Sequence, residues 1–126
     1  LIAVNLYSYV ENPFTPQATF NYQKFNKHVQ MAQRIMDDIV DLELEKVNKI
    51  VDKIEADPEN IEIKRTELNL WKKIKTKSIQ GRRTGVGITA EGDMLAALGL
   101  KYGTPEATDF CEDIHKKLMM NSKIKN

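Results

Sequence analysis

Residues 81–103 read GRRTGVGITAEGDMLAALGLKYG and hold all six glycines of the 126-residue chain, together with its only Arg-Arg pair. Glycine costs backbone entropy, so it is retained where backbones approach closely or where φ is positive. The pattern predicts a short buried strand over residues 86–88, followed by a helix that Thr89 caps and that runs to about Leu98. Gly99 then stands where a left-handed C-terminal cap belongs. The stretch is therefore predicted to be a strand–turn–helix unit at which the chain changes direction.

Two long amphipathic helices are predicted ahead of this stretch, because apolar residues recur three or four positions apart there. The first helix is capped by Asn21, runs for about 30 residues and ends at Asp57 and Pro58. The same pair starts the second helix, with Asp57 as its N-cap, and this helix runs to Ser78 or Ile79.

The two ends of the chain complete a mainly α-helical pattern. Residues 1–10 are apolar and favour an extended strand, and the prolines and asparagine that follow favour a loop. Near the other end, Thr104 and Pro105 supply a cap and a first-turn proline to a last helix. Residues 1–126 are thus predicted to form a single mainly α segment, with about four helices and one or two short strands.

The composition is that of an ordinary globular protein, with 41% hydrophobic and 29% charged residues. A formal net charge of +1 gives no bulk attraction to nucleic acid or to an anionic membrane surface. No apolar run approaches the roughly 20 residues that span a bilayer. The single cysteine, Cys111, excludes an internal disulfide. These features predict a cytoplasmic protein with neither nucleic acid nor membrane as a partner.

The glycine-rich stretch allows two interpretations. Gly85 and Gly87 ahead of a helix start have the ingredients of an anion site, with free N–H groups and a positive dipole end. However, the third glycine, Gly92, misses the spacing of dinucleotide-binding loops, and no Gly-Lys-Ser/Thr follows. Close packing of strand against helix is therefore the favoured interpretation.

Arg82 and Arg83 also allow two interpretations. They can bind a phosphate or carboxylate ligand, as paired arginines often do. Alternatively, one lies along apolar surface while the other pairs with a nearby acidic residue such as Glu91 or Asp93. The second interpretation is favoured.

Three further groups carry titratable side chains. Glu112 and His115 share one helix face, but a di-iron bundle needs two Glu-x-x-His units and two more glutamates, so no metal site is predicted. Cys111 lies on an apolar stripe, which favours a buried structural thiol over a nucleophile. The acidic residues within 37–41 are predicted to be solvated or ion-paired helix surface rather than acid/base catalysts.

The same residues resemble a known enzyme family. Residues 81–103 are similar to the segment of ribonucleotide reductase catalytic subunits with Arg-Arg, a Gly-x-Gly strand, a small-residue turn and an Asp-Met-Leu helix. VNLYSYVENPFT at residues 4–15, RIMDDIVDLELEKV at residues 34–47 and LW at residues 70–71 agree in order and spacing. The most similar branch is the adenosylcobalamin-dependent one (class II), and the resemblance covers nearly the whole chain.

This resemblance implies an internal piece of the ten-stranded α/β barrel on which these enzymes reduce ribonucleotides by radical chemistry. In the family, a thiyl radical forms within an Asn-x-Cys-x-Glu motif, which does not surround Cys111, and a reducing cysteine is expected just before residue 1. Asn5 and Leu6 therefore receive structural roles, no residue receives a catalytic one, and cofactor-binding residues stay unassigned. Adenosylcobalamin is implied for the parent enzyme, and no cofactor is expected for the segment alone.

Three hypotheses stay open at this point. The first is a reductase segment, inactive alone, whose partner is the rest of the reductase chain. Its exposed apolar surface predicts self-association of the isolated piece, with residues 1–10 and 86–88 the first to lose barrel geometry. The second is a free-standing helical interaction or regulatory domain derived from the reductase. The third is a small metal-binding helical bundle built on Glu112 and His115.

Overall fold

Four α-helices and four short strands make up residues 1–123, the part of the chain that the computed structural model describes; residues 124–126 lie outside it. The strands are β1 (Ile2–Asn5), β2 (Val10–Glu11), β3 (Thr19–Phe20) and β4 (Val86–Thr89), and a 3-10 helix spans Leu6–Tyr9. The helices are α1 (Tyr22–Ala56), α2 (Ile61–Gly81), α3 (Glu91–Ala97) and α4 (Pro105–Asn121). None of these four helices is long and apolar enough to cross a membrane. The mainly α-helical class predicted from the sequence is confirmed.

The chain divides into two compact regions. The mixed region comprises Leu1–Met36 and the chain from Gly85 onward, and it contains the four described strands, α3, α4 and the first part of α1. The hairpin region comprises Asp37–Thr84, with the rest of α1 and the whole of α2. That residues 1–126 form one segment of a larger catalytic domain stays a prediction.

β1 and β4 pair in parallel, with Ile2 opposite Val86 and Asn5 opposite Thr89. Parallel neighbours cannot be joined by a tight turn, and the connection here, residues 6–85, carries the two long helices. The strand predicted within the glycine-rich stretch is confirmed as β4. The extended start predicted for residues 1–10 is confirmed only in part, because the 3-10 helix interrupts it.

The core of the mixed region has two parts. Aliphatic side chains pack against the parallel strands, and aromatic rings pack around Phe20 of the antiparallel pair β2–β3. The fully buried side chains of this core come from the 3-10 helix and from α1, α3 and α4: Leu6, Phe25, Val29, Met94, Leu95 and Ile114. The Phe20 ring centroid lies 5.5 Å from that of Phe25 and 6.0 Å from that of Phe110. Edge-to-face aromatic contacts of this kind add to the free energy of burial, so they fix α1 against α4.

Two helix starts match the sequence prediction. The Asn21 side chain accepts a hydrogen bond from the Lys24 N–H at 2.9 Å and caps α1. The Thr104 hydroxyl accepts from the Ala107 N–H at 3.3 Å, and Pro105 follows it as the first residue of α4. Both caps satisfy backbone donors that the first turn of a helix leaves unpaired.

The cap predicted for α2 is wrong. Asp57 does not start this helix, because its N–H still bonds to the Ile54 carbonyl at 3.3 Å and so extends the end of α1. Asn60 is the cap instead, and its side chain accepts from the Glu62 N–H at 2.8 Å. The helix also continues to Gly81, beyond the predicted end at Ser78 or Ile79.

Gly99 ends α3 in the left-handed conformation, with a φ of 74°, as the sequence predicts. Its N–H donates to the Ala96 carbonyl at 3.1 Å, and the Leu100 N–H donates to the Leu95 carbonyl at 2.9 Å. This pair of bonds is the Schellman motif, which satisfies the last carbonyls of a helix.

The hairpin region has a thin core. Its buried hydrophobic side chains all come from α1: Val40, Val47 and Ile54. No residue of α2 is buried, and the predicted inner residues Ile63 and Leu70 are 54% and 56% exposed. Trp71, the only tryptophan of the chain, is half-buried. The apolar stripe of α2 therefore stays largely in contact with solvent.

Candidate functional site

One face of the β1–β4 pair is exposed where the two strands end side by side. This strand face consists of Ala3 and Asn5 from β1 with Gly87 and Thr89 from β4, and the residues between them point the other way, toward the core. Asn5 and Thr89 lie opposite each other at the carboxyl ends of the strands. Both side chains are neutral, and each can donate and accept hydrogen bonds. The strand face thus combines small residues with an adjacent pair of uncharged polar groups.

Ala90 carries the chain from the strand face into α3. Its φ of 59° and ψ of 35° lie in the left-handed region, which costs a residue with a Cβ roughly 1–2 kcal/mol. The prediction that Thr89 caps α3 is wrong, because Thr89 is held in the strand ladder and no side chain caps this helix. Glu91 and Asp93 in the first turn place negative charge at the positive end of the helix dipole instead.

Glu91 connects α3 to two side chains of α4. Its Oε2 lies 3.5 Å from Nε2 of His115, and its carboxylate accepts a hydrogen bond from the thiol of Cys111. Burial of the thiol, followed by this hydrogen bond and the negative charge of Glu91, raises the pKa of Cys111 to about 11. A thiol with a raised pKa is a poor nucleophile near neutral pH. The geometry therefore favours the structural role predicted for Cys111.

Both imidazoles of the chain have protein partners. His115 contacts Glu91, and the Tyr9 hydroxyl lies 3.1 Å from Nδ1 of His28. Among residues 1–123, no group of three or more His, Cys, Asp or Glu side chains is placed to hold a metal ion. The absence of a metal site at Glu112 and His115 stays a prediction.

Arg82 forms a forked ion pair in the hairpin region. Its Nη1 lies 2.7 Å from Oδ1 of Asp41, and its Nη2 lies 2.6 Å from Oδ1 of Asp37. These hydrogen bonds, Asp41 first and Asp37 second, raise the pKa of Arg82. The predicted pairing of one arginine with a carboxylate is confirmed, but its partners come from α1 and not from Glu91 or Asp93. The ion-paired surface predicted within residues 37–41 is confirmed by the same contacts.

A pocket of about 670 Å³ opens beside this ion pair in the hairpin region. Its lining has one carboxylate, that of Glu43, and four basic side chains, of which Arg82 is already paired with Asp37 and Asp41. The residues around it are Val40, Glu43, Lys73, Ile74, Lys77, Ser78, Gln80, Gly81, Arg82 and Arg83. The remaining cations, Lys73, Lys77 and Arg83, are exposed, and their charge suits small anions.

Comparison with known proteins decides the family. A family model described as ribonucleotide reductase, barrel domain, matches residues 1–124, which is almost the full chain. The chain belongs to the ribonucleotide reductase barrel-domain family. A search of curated proteins and a search of solved structures each gave no significant match.

Membership of the reductase barrel family explains why the chain contains the parallel pair β1–β4. Two parallel strands joined through helices are the unit from which α/β structures are built. The resemblance to ribonucleotide reductases is therefore confirmed at the level of the family, and the fold class of a barrel-family fragment is confirmed as well. The rest of a reductase chain is the natural surrounding of such a unit.

Sequence reasoning missed the pairing of Asn5 with Thr89 in this reductase segment. It gave Asn5 a structural role and made Thr89 a helix cap. The available signal was the alternation of larger apolar residues with small or polar ones in both strands, which predicts one inward and one outward face. Each strand has four residues, and that length is too short to predict which strands pair or in what register.

Proposed function

We propose that the chain is scaffold in the catalytic barrel of an adenosylcobalamin-dependent ribonucleotide reductase, the class II branch, where radical chemistry replaces the ribose 2′-hydroxyl by hydrogen. Membership of the family supports the reaction, and the resemblance of residues 81–103 to that branch supports the cofactor. The observation that carries the scaffold role is the parallel pair β1–β4. Parallel sheets in proteins are covered on both faces, whereas this two-stranded sheet has open edges and an exposed strand face.

The groups that perform the radical chemistry lie, in this proposal, in other parts of the reductase. Cys111 is the only thiol of the chain. It is half-buried on α4, and its raised pKa and its hydrogen bond to Glu91 hold it as a protonated thiol. No Asn-x-Cys-x-Glu motif surrounds it. The segment then contributes barrel wall and helical support, and is inactive by itself.

The described residues do not themselves fit adenosylcobalamin. An imidazole would suit a transition-metal centre such as cobalt, but both imidazoles already have protein partners, His28 in Tyr9 and His115 in Glu91. The lysine and arginine side chains that line the pocket of the hairpin region are exposed. Contacts to the cofactor are therefore assigned to the rest of the reductase.

Exposed apolar surface supports a further part of the proposal, namely that the isolated chain self-associates. Large apolar side chains more than one third exposed occur in both regions, among them Leu1, Ile35, Leu42, Ile61 and Leu70. Apolar surface on this scale is usually covered by other protein. We expect light scattering to show a mass above that of the monomer, rising with concentration. A monomer at every concentration contradicts this expectation.

The experiment that tests the proposed function compares the isolated chain with the full reductase polypeptide that carries the segment. Ribonucleotide reduction is measured for each with and without adenosylcobalamin, under a dithiol reductant. We expect turnover only by the full polypeptide and only with the cofactor. Turnover by the full polypeptide without adenosylcobalamin overturns the branch, and turnover by the isolated chain overturns the scaffold role in favour of an independent domain.

A further inference from the structure

The charges of the chain are unevenly distributed, although its formal net charge is only +1. Residues 68–90 contain six lysine and arginine residues and no aspartate or glutamate. Four of the six lie on α2, within residues 72–77, and Arg82 and Arg83 follow the end of this helix. The C-terminal half of α2 and the residues after it are therefore a local concentration of positive charge.

Ion pairs within the hairpin region neutralise only part of this charge. Lys72 lies 3.1 Å from a carboxylate oxygen of Glu55, and Arg82 is held by the two aspartates of α1. Three other cations are exposed, line the pocket of the hairpin region and have no ion-pair partner among residues 1–123: Lys73, Lys77 and Arg83. The lining includes one carboxylate, that of Glu43. An excess of positive charge thus surrounds the pocket.

The pocket is also connected to apolar surface. Val40 of α1 and Ile74 of α2 are among its lining residues. Leu70 and Ile63 precede Ile74 by four and eleven positions, and residues at such intervals share one face of a helix. They are 56% and 54% exposed. Ile63, Leu70 and Ile74 therefore form an apolar strip, about 17 Å long, that begins in the pocket and follows α2 toward its N-terminus.

Cations next to an apolar strip favour one class of ligand. A phosphate group would use the cations and leave the strip exposed, and phosphates prefer the N-termini of helices, whereas this pocket lies at the C-terminal end of α2. A flat membrane surface cannot enter a concave pocket. A peptide helix with carboxylates beside an apolar stripe uses both features, as helices that bind in grooves do. The matching ligand is an acidic amphipathic helix.

We propose that the pocket and the apolar strip of α2 bind an acidic amphipathic helix of a separate protein. One apolar side chain of that helix enters the pocket, others cover Leu70 and Ile63, and its carboxylates pair with Lys73, Lys77 and Arg83. Charge complementarity accelerates the encounter of separate molecules, so it favours a separate protein over a segment that is already attached. The interaction goes beyond the scaffold role, which rests on the β1–β4 pair and not on α2.

The test uses a fluorescein-labelled peptide of about 14 residues, which as a helix is about 21 Å long and covers the strip. It carries leucines on one face and glutamates on both sides of that face. One control peptide has lysine in place of every glutamate, and a second has serine in place of every leucine. Fluorescence anisotropy measures the Kd of each peptide for the full polypeptide that carries this segment. We expect both control peptides to bind about tenfold or more weakly than the acidic peptide with leucines.

Two variants test the cations and the apolar strip separately. Lys77→Glu replaces an attraction by a repulsion and is expected to raise the Kd of the acidic peptide about fivefold at low salt and less at high salt. Leu70→Ser removes apolar contact area and is expected to raise this Kd about fivefold at either salt concentration. Both side chains are exposed, and circular dichroism confirms that each variant is folded.

Lys27→Glu is the matched control. It makes the same change of net charge as Lys77→Glu, at an exposed position of a helix in the mixed region. We expect it to leave the Kd of the acidic peptide unchanged. An equal rise of the Kd in Lys27→Glu and Lys77→Glu shows that only the net charge of the polypeptide matters, and this result overturns the proposed site.

Four other outcomes overturn it as well. Absence of binding by the acidic peptide removes its basis. Equal binding of the peptide without leucines shows that the pocket takes anions of any kind. Binding to the isolated chain but not to the full polypeptide shows that another segment of the same polypeptide covers the pocket. Binding of the full polypeptide to phosphatidylserine vesicles that is lost in Lys77→Glu assigns the surface to a membrane instead of a protein.

Discussion

The mixed region and the hairpin region bury apolar side chains to very different extents. In the mixed region, Leu6, Phe25, Met94 and Ile114 have no exposed surface at all. In the hairpin region, α2 buries no residue, although it carries Ile61, Ile63, Leu70 and Ile79. Buried apolar area is the main favourable term in folding. We conclude that most apolar burial among residues 1–123 lies in the mixed region, whereas the hairpin region has three buried side chains of α1, supplemented by ion pairs and a helix cap.

The largest effect is expected when an isoleucine is replaced by alanine in each region and the free energies of unfolding are compared. Ile114→Ala empties a fully buried site and is expected to lower the free energy of unfolding by about 2–5 kcal/mol. Ile63→Ala changes a residue that is 54% exposed and is expected to change it by less than about 0.5 kcal/mol. Urea unfolding followed by circular dichroism measures both. Equal losses would show that the hairpin region has a core comparable to that of the mixed region.

The next effect concerns the thiol of the mixed region. With its pKa raised from 9.0 to about 11, Cys111 holds on the order of a hundredfold less thiolate at pH 8 than an unperturbed cysteine does. A thiolate of higher pKa is also more nucleophilic, which raises the rate constant per thiolate about tenfold. We expect iodoacetamide to react about tenfold more slowly with the folded chain than with the urea-unfolded chain. Equal rates contradict the burial and the Glu91 contact.

The same shift gives a pH dependence of stability. Because the folded pKa of Cys111 lies above the unfolded one, the folded state retains the proton longer, and stability is full below pH 9 and falls as pH rises toward about 11. Burial raises the pKa of Tyr9 and Tyr22 in the same direction. Cys111→Ala is therefore expected to flatten, and not to abolish, the alkaline loss of unfolding free energy. An unchanged pH profile in this variant contradicts the assignment.

Helix caps are expected to cost the same in both regions, because they act locally. Thr104→Ala in the mixed region and Asn60→Ala in the hairpin region each remove an observed side-chain acceptor of a first-turn N–H. Each is expected to lower the free energy of unfolding by about 1 kcal/mol. Asn69→Ala, on the exposed surface of α2, serves as the control. A much larger loss of unfolding free energy in Thr104→Ala than in Asn60→Ala would show that the effect of the lost cap is not local.

The smallest expected effect concerns the ion pair of the hairpin region. Arg82→Gln removes the contacts to Asp37 and Asp41, and we expect a slightly lower unfolding midpoint at low salt. All three groups are partly exposed, so added salt should screen most of the difference. Arg83→Gln is the control, since Arg83 is exposed and has no ion-pair partner among residues 1–123. A difference that persists in high salt would indicate that packing of the Arg82 side chain, and not charge, is lost.

Local chemistry explains which parts of the fold were predictable from sequence. Asn21, Thr104 and Gly99 satisfy backbone groups within one turn of their own position, so a short window of sequence contains the whole cause. The start of α2 was misplaced because Asp57 and Asn60 are both good caps. The choice between them depends on how far the last turn of α1 extends, which the local pattern does not reveal.

Distant contacts explain the rest. The carboxylates that pair with Arg82 lie 41 and 45 positions away in the sequence, so proximity along the chain pointed to the wrong partners. The meeting of Asn5 with Thr89 also depends on a register that two four-residue strands do not specify. The left-handed conformation of Ala90 was not predictable from the sequence, because alanine rarely adopts it.

The distribution of aromatic residues makes the two regions optically separate. The only tryptophan, Trp71, lies in the hairpin region, whereas all four tyrosines and all four phenylalanines lie in the mixed region. Indole emission excited at the red edge of its absorption therefore reports on the helical hairpin alone, and tyrosine emission, which lies at a shorter wavelength than indole emission, reports on the other region. A single unlabelled sample can thus reveal whether the two parts melt together or one after the other.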